Sequence, residues 1–236
     1  MSAGNICWAV VPAAGVGRRM SVSVPKQYLD LAGRPVIDYS LSTLLDHPRV
    51  EGLFVAVDPS DAHWTRTSFA DHEKVTRVDG GAERCHSVLN ALDVLAKNAD
   101  EEVWVLVHDA ARPCLRSSDL DRLLNAVEIH PVGGLLGVPV RDTMKQAGEG
   151  GEVRRTVPRK DLWHAFTPQM FRLGLLRRAL QEALAGRCLV TDDASAVERM
   201  GLAPLLVEGH ADNIKITRPE DLAVARFYLE QQGRLC

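Results

Sequence analysis

The sequence lacks the features that identify several common classes of protein. Its 28 lysines and arginines are outnumbered by 31 aspartates and glutamates, and the net charge of -3 excludes the sustained basic surface of a general nucleic-acid-binding protein. The longest early apolar stretch, residues 6–17, is too short to span a bilayer, and no basic segment precedes it. We therefore expect no membrane helix, no membrane partner and no signal peptide.

Paired cysteines are also absent. The five cysteines are odd in number and widely spaced, with no Cys-x-x-Cys pair for zinc or redox chemistry, which favours reduced thiols in a cytoplasmic protein. The sequence contains no low-complexity tract and no internal repeat. With 236 residues, of which 46% are hydrophobic and 25% charged, it has the composition of a globular protein, and we assign residues 1–236 to a single domain.

Strand and helix signals alternate along the chain, which is typical of an α/β fold with a mostly parallel sheet and crossover helices. Apolar runs predict strands that end near residues 12, 57, 78, 107, 140 and 207, and alternation predicts another at 213–217. Helical spacing of apolar residues predicts helices that begin near residues 33, 82, 117, 173, 191 and 219.

Small residues follow the first predicted strand. The run Pro12-Ala13-Ala14-Gly15-Val16-Gly17 lets backbone N–H groups approach a ligand closely, and Arg18, Arg19 and Lys26 come after it. Amide dipoles and cations both favour phosphate oxygens, so the stretch predicts a nucleotide triphosphate site. It lacks the Gly-Lys-Ser/Thr ending of a Walker A loop and the third glycine of a dinucleotide fingerprint. An ordinary strand-to-helix turn is the alternative interpretation.

A second glycine turn, Asp79-Gly80-Gly81, precedes another predicted helix. Arg84 and Ser87 lie in the first turns of that helix, where a polar ligand would meet free backbone amides. A simple connecting loop is the alternative.

Residues 108–113 follow an apolar central strand, at the end where open α/β sheets bind their ligands. Asp109 suits a magnesium ion that keeps most of its waters and bridges to substrate phosphates. A purely structural pair between Asp109 and Arg112 is the alternative, and His108 is interpreted as a packed residue at the strand end.

A polar hairpin at about residues 141–161 has little apolar surface with which to form a core. Such an arm docks most simply on a second copy of the chain, whose site its cations would then serve. These cations are Arg141, Lys145, Arg154, Arg155, Arg159 and Lys160. The alternative is a solvated, mobile hairpin whose charges keep it soluble.

Two features near the end of the sequence carry charge. Asp192 and Asp193 suggest acid-base or metal chemistry, but a helix N-terminus explains both acids, and we favour a cap formed by Thr191 or Asp192. Lys215 stands between two isoleucines, so it projects to the face opposite to theirs.

Several fragments occur together in one known family. They are Pro12-Ala13-Ala14-Gly15-x-Gly17-x-Arg19-Met20, Pro25-Lys26-Gln27-Tyr28, Asp79-Gly80-Gly81, Val107 to Pro113, Asp142 to Lys145, Thr167-Pro168-Gln169, Thr191-Asp192-x-Ala194-Ser195 and Asp212-Asn213-Ile214-Lys215-x-Thr217. In this order and spacing, from about residue 6 to 229, the chain resembles the 2-C-methyl-D-erythritol 4-phosphate cytidylyltransferases of the non-mevalonate isoprenoid pathway. The resemblance implies a Rossmann-like nucleotidyltransferase domain with a protruding β-arm, a homodimer formed through that arm, and the use of CTP and Mg²⁺.

The resemblance also implies a role for individual residues. Catalytic roles fall on Arg19, Lys26, Arg159 and Lys215, and Asp109 would sit by the metal. The nucleotide would be bound by Pro12, Ala13, Ala14, Gly15, Gly17, Gly80, Gly81, Arg84, Ser87, Asp109 and Ala110. The acceptor would be bound by Asp109, Arg112, Thr143, Arg159, Thr167, Thr191 and Lys215, with Thr143 and Arg159 supplied by the partner's arm. Ala82 is a departure, because some family members carry an acid at that position.

The implied reaction transfers CMP from CTP to 2-C-methyl-D-erythritol 4-phosphate and releases pyrophosphate, by in-line attack of the acceptor phosphate on the α-phosphate. That oxygen is already anionic at neutral pH, so the reaction needs fixed cations, metal and amides rather than an activating base. One alternative is cytidylyl transfer to another polyol phosphate such as ribitol 5-phosphate. Another is a non-catalytic nucleotide-binding dimer, against which Arg19, Lys26 and Asp109 count.

Overall fold

The computed structural model describes residues 6–15 and 24–235. The strands in this part of the chain are β1 (Cys7–Pro12), β2 (Asp30–Leu31), β3 (Arg34–Pro35), β4 (Val50–Val57), β5 (Val75–Asp79), β6 (Trp104–Val107), β7 (Gly133–Pro139), β8 (Met144–Ala147), β9 (Val153–Val157), β10 (Trp163–Arg172) and β11 (Leu205–Glu208). The α-helices are α1 (Val36–Leu45), α2 (Arg84–Leu95), α3 (Ser117–Glu128), α4 (Leu173–Ala185), α5 (Asp193–Arg199) and α6 (Asp221–Gln231).

The main sheet has seven strands in the order β11-β7-β10-β6-β1-β4-β5. Strand β1 pairs in parallel with β4 and β6, β4 with β5, and β7 with β11, whereas β10 runs antiparallel to both β6 and β7. The predicted α/β class with a mostly parallel sheet is confirmed. Because β10 runs in the opposite direction, its early residues lie beside the carboxyl end of β6.

The core is divided between the two faces of the sheet. Ala9 and Val11 of β1 pack on one face with α1 and α3, while Val10 packs on the other face with α2 and α4. This alternation follows from the two-residue period of a strand. All four residues of β6 are buried, as expected for a central strand covered by helices on both sides.

Helix α2 begins at Arg84, close to the predicted start near Ala82. Two predictions of local structure are wrong. Helix α1 begins at Val36 rather than at Gly33, because Arg34 and Pro35 pair with β2 in a short antiparallel ladder. Residues 213–217 form no strand, and instead the Ile216 N–H donates to the Ala111 carbonyl, 2.8 Å away.

The sequence Ser117-Ser118-Asp119 is typical of a helix cap, but the predicted cap is wrong. No side chain caps α3, which follows Arg116 directly. Asp119 instead accepts a hydrogen bond from the His210 N–H, 3.1 Å away, which anchors the chain after β11.

Strands β8 and β9 form a two-stranded hairpin within the predicted arm. All residues of β8 are exposed, and only Val157 of β9 is partly covered. Lys145 and Arg155 make hydrogen bonds across the hairpin, to Thr156 (2.7 Å) and Gln146 (2.7 Å). The hairpin is therefore held by its own backbone ladder and polar contacts rather than by a core.

No helix in residues 6–15 and 24–235 is both long enough and apolar enough to cross a membrane. The four cysteines in these ranges, Cys7, Cys85, Cys114 and Cys188, are free thiols.

Candidate active site

A cleft of about 240 Å³ opens at the carboxyl ends of β1 and β6. It is lined by Pro12, Ala13, Ala14, Gly15, Lys26, Gln27, Gly81, Ala82, Glu83, Arg84, Ser87, Asp109, Ala110, Ala111 and Lys215. Most of the residues predicted to bind the nucleotide therefore meet in one place. Three cations face two acids in this lining, which makes the cleft positive in a chain whose net charge is -3.

The loop after β1 forms one wall of the cleft. The Gln27 amide donates to the carbonyls of Ala13 (2.6 Å) and Gly15 (3.2 Å). The Ala13 N–H donates to the Ala56 carbonyl of β4, 2.7 Å away, so the loop begins as a continuation of the sheet. Nothing in the sequence indicates this role of Gln27, whose side chain is buried and braces the loop. Gly17 and Arg19 lie outside the described residues.

Lys26 connects this wall to a distant segment of the chain. It begins a short 3₁₀ turn, Lys26–Tyr28, and its Nζ donates to the Ile216 carbonyl at 2.9 Å. Ile216 follows Lys215 in the chain, so one hydrogen bond places both predicted catalytic lysines on the same side of the cleft.

The opposite wall is the turn between β5 and α2. A Cβ at Gly80 would lie 2.3 Å from the Cβ of Ala14, so only glycine allows the two loops to approach this closely. The Gly81 N–H donates to the Ser87 hydroxyl at 3.0 Å, which fixes the turn at the start of the helix. Gly81 and Ser87 line the cleft, while Gly80 lies behind them and sets the spacing.

Asp109 is at the centre of a cluster of cations. Its Oδ1 accepts from Arg84 Nε at 3.1 Å, and its Oδ2 lies 2.8 Å from Lys215 Nζ and 3.6 Å from Arg112 Nε. Only 9% of the Asp109 side chain is exposed. The pair with Arg112 that the sequence offered as an alternative is present, and two further cations join it.

The charges in this cluster shift the pKa values of Asp109 and Arg84. Burial alone would raise the pKa of the Asp109 carboxyl, but Arg84, Lys215 and Arg112 outweigh burial and hold the pKa well below its usual range. Burial alone would lower the pKa of the Arg84 guanidinium, but nearby carboxylates outweigh it and raise the pKa. Asp109 is therefore an anion and Arg84 a cation throughout the neutral range.

His108 and Thr167 hold the backbone of Asp109. The Thr167 hydroxyl accepts from the Asp109 N–H at 3.0 Å and lies 3.0 Å from His108 Nδ1, while His108 Nε2 lies 3.1 Å from the Arg112 carbonyl. A carbonyl only accepts, so Nε2 carries the proton, and Nδ1 of the neutral ring accepts from Thr167. Thr167 is buried and does not line the cleft. Its predicted direct contact with the acceptor substrate stays a prediction.

The buried imidazole gives folding stability a specific dependence on pH. Burial lowers the pKa of His108 from 6.5 to about 4. In the unfolded chain the ring takes up a proton below pH 6.5, whereas in the folded chain it does so only near pH 4. The stability that the neutral ring contributes is therefore present above pH 6.5 and is lost as the pH falls from 6.5 towards 4.

We expect the free energy of unfolding of the unmodified protein to fall more steeply over this window than that of a His108→Gln variant. The difference between the two slopes should approach roughly 1.4 kcal/mol per pH unit, because the unmodified protein takes up one more proton on unfolding than the variant does. Guanidinium unfolding at closely spaced pH values measures both slopes. Parallel curves would show that His108 is not held neutral.

The other predicted acceptor residues do not line the cleft. Thr143 and Arg159 belong to the exposed arm, where the Arg159 guanidinium donates to the Arg141 carbonyl. Arg112 lies behind Asp109 and donates to the Asn213 carbonyl at 2.7 Å. Thr191 is exposed just before α5.

The two adjacent acids at the start of α5 have different partners. Asp192 caps the helix, as predicted, by accepting from the Ser195 N–H at 3.0 Å. The next residue, Asp193, is fully buried and pairs with Arg84 of α2. Both acids are predicted to lie at the helix N-terminus, and no local signal in the sequence distinguishes them.

Comparison with known proteins decides the family. The family model described as IspD, 2-C-methyl-D-erythritol 4-phosphate cytidylyltransferase, matches residues 7–231. This chain belongs to that family. The predicted resemblance is thereby confirmed, and with it the class of cytidylyltransferase enzymes of isoprenoid biosynthesis.

Proteins with the same description are similar over nearly their whole length. The 2-C-methyl-D-erythritol 4-phosphate cytidylyltransferase of Pseudomonas fluorescens is 55% identical over 216 residues, 91% of this chain and 92% of that one. The protein from Pseudomonas savastanoi pv. phaseolicola is 53% identical over 96% and 97% of the two chains. The crystal structure of the Francisella tularensis IspD superimposes with a TM-score of 0.84 at 35% identity, over 95% of this chain and all of that chain.

Proposed function

We propose that the protein transfers CMP from CTP to 2-C-methyl-D-erythritol 4-phosphate, giving 4-diphosphocytidyl-2-C-methyl-D-erythritol and pyrophosphate. Family membership supports this activity. The cleft supports the activity at the level of particular residues, because Lys26, Arg84 and Lys215 converge there on small-residue loops and one ionised carboxylate.

In this proposal the two loops bind CTP and the lysines stabilise the charge that develops during transfer. Backbone groups of Ala13, Ala14 and Gly81 would contact cytosine and ribose, and Lys26 would contact the triphosphate. Lys215 would hold the acceptor phosphate in line with the α-phosphate. An acceptor monoester is already anionic, so the site has to neutralise converging anions rather than remove a proton.

A divalent cation fits at Asp109 as a single protein ligand. No group of three His, Cys, Asp or Glu side chains converges within the described ranges, so these residues do not enclose a metal alone. Mg²⁺ commonly binds through one or two carboxylates together with substrate phosphates and water. The Asp109 carboxylate offers about four lone-pair positions, which is more than its ion pairs use. The ion, when bound there with CTP, would neutralise charge on the triphosphate.

We further propose that the acceptor site is completed by a second copy of the chain. Thr143 and Arg159 are exposed on an arm that lacks a core of its own, and Thr191 and Lys215 belong to the body of the protein. Docking of the arm on a partner would bring the two sets together in a homodimer, with one domain and one arm in each chain. The free thiols support a cytoplasmic location for this enzyme.

Pyrophosphate release tests the proposed activity. We expect turnover with Mg²⁺, CTP and 2-C-methyl-D-erythritol 4-phosphate, and much slower turnover when UTP, ATP or GTP replaces CTP. Ribitol 5-phosphate is the matched alternative acceptor, since it offers the same phosphate on a different polyol. Turnover with ribitol 5-phosphate but not with 2-C-methyl-D-erythritol 4-phosphate would reject the proposed acceptor. Binding of CTP without turnover on either acceptor would favour a non-catalytic protein.

A further inference from the structure

A fully buried carboxylate contacts Arg84, which lines the cleft at the start of α2. Asp193 is the first residue of α5, and its side chain is 0% exposed. Both of its oxygens accept from the Arg84 guanidinium, Oδ1 from Nη1 at 3.0 Å and Oδ2 from Nη2 at 2.7 Å. A two-point contact of this kind fixes the plane of the guanidinium as well as its position.

Arg84 joins this carboxylate to the centre of the cleft. Its third hydrogen bond runs from Nε to Asp109 Oδ1 at 3.1 Å. Three of its five N–H groups are thus used, and the described residues supply no acceptor for the other two. Since Arg84 lines the cleft, these are the donors that it can offer to a bound ligand.

Helix α5 does not depend on Asp193 for its own position. The Gln169 side chain of β10 accepts from the Ala194 N–H at 2.7 Å and donates to Asp192 Oδ2 at 2.8 Å. Asp192 and Ser195 also form a reciprocal cap. The helix start is therefore held by contacts that do not use the Asp193 side chain, which leaves orientation of Arg84 as the specific effect of the Asp193 carboxylate.

We propose that Asp193 is a positioning residue for CTP, which it serves by holding the Arg84 guanidinium in the orientation that the nucleotide needs. The inference rests on the proposed function, because it takes CTP as the ligand of the cleft. Without the two-point contact, Arg84 can turn about its side-chain torsions and take the Asp109 carboxylate from a different direction. The loss should fall on CTP and leave the acceptor nearly unaffected.

The test is steady-state kinetics and equilibrium CTP binding with Asp193→Asn. This change keeps the size of the side chain but removes the charge and one acceptor oxygen. We expect the KM and Kd for CTP to rise about tenfold, as for loss of a charge-assisted hydrogen bond, with the KM for 2-C-methyl-D-erythritol 4-phosphate within about twofold of the unmodified protein.

Two control variants separate positioning from folding. Asp119 is also a fully buried acid in the first turn of a helix, and it lies outside the cleft lining, so Asp119→Asn should leave both KM values unchanged. Gln169→Leu removes the contacts to Asp192 and Ala194 on either side of Asp193 but keeps the Asp193 carboxylate, so it should raise the KM for CTP less than Asp193→Asn does. A CTP Kd within twofold of the unmodified value in folded Asp193→Asn would overturn the proposal. The same kinetic pattern in Asp193→Asn and Gln169→Leu would also overturn it.

If Asp193→Asn does not fold, Asp193→Glu takes its place. It keeps the charge but displaces the carboxylate by one methylene, so the CTP Kd should still rise, by about threefold or more. An unchanged Kd in this variant would equally overturn the proposal. Failure of the proposed function itself is distinguishable, because it would appear as absence of turnover by the unmodified protein.

Discussion

Lys26→Ala should lower kcat for pyrophosphate release by a factor of about 10² to 10³, the usual cost of removing one donor that stabilises charge in a transition state. Lys26 lines the cleft and its Nζ lies 2.9 Å from the Ile216 carbonyl, directly beside Lys215. Its position between the phosphate loop and the predicted acceptor lysine explains why the loss should appear in kcat as well as in binding. Steady-state kinetics with saturating CTP and acceptor measures the effect.

The control for this prediction is Lys74→Ala, which removes an exposed lysine outside the cleft lining and should leave kcat unchanged. Because Lys26 also connects two segments, thermal unfolding of both variants establishes that the site remains folded. A folded Lys26→Ala protein with the kcat of the unmodified enzyme would remove Lys26 from the mechanism.

Subunits that carry Lys26→Ala should regain activity when they are combined with subunits that carry Arg159→Ala. In the proposed dimer, each site takes Lys26 from one chain and Arg159 from the arm of the other. A mixed dimer then contains one site with both substitutions and one with neither, so its activity should be about half that of the unmodified dimer. Each variant alone should be nearly inactive. Co-expression with two different affinity tags isolates the mixed dimers.

The matched control combines Lys26→Ala subunits with Lys215→Ala subunits. Both lysines line the same cleft of one chain, so every site in that mixed dimer lacks one of them and no activity should return. No recovery in the mixture of Lys26→Ala and Arg159→Ala would show that the arm does not supply Arg159 across the interface. Recovery in the control would show that Lys26 and Lys215 do not serve the same site.

Much of the fold could be predicted because the signals are local. Apolar runs at residues 50–57 and 103–107 are long enough to identify buried strands, and glycine turns mark the places where strands pass into helices. The direction of β10 carries no local signal, since an antiparallel strand has the same two-residue period as a parallel one. Residues 213–217 are a case where this reasoning fails: their alternation resembles a strand, yet the segment pairs with no strand, and its Ile216 N–H donates to the Ala111 carbonyl in the loop after β6.

The candidate site could be predicted in part for the same reason. The loops at Pro12–Gly15 and Gly80–Gly81 and the carboxylate of Asp109 follow predicted strands, so topology alone brings them to one edge. Gln27 and Asp193 could not be found this way, because their roles depend on contacts made in the folded chain. Asp193 meets Arg84 across 109 positions of sequence, and its position beside Asp192 at a helix start supplies a sufficient local explanation.

In the proposed reaction, an oxygen of the acceptor phosphate attacks the α-phosphate of CTP in this cleft. Mass spectrometry of the products tests it directly when the three non-bridging oxygens of 2-C-methyl-D-erythritol 4-phosphate are labelled with ¹⁸O. We predict that all three labels appear in 4-diphosphocytidyl-2-C-methyl-D-erythritol and none in pyrophosphate, because the acceptor oxygen becomes the bridge between the two phosphorus atoms. Label in pyrophosphate, loss of one label from the product, or no labelled product at all would contradict the account.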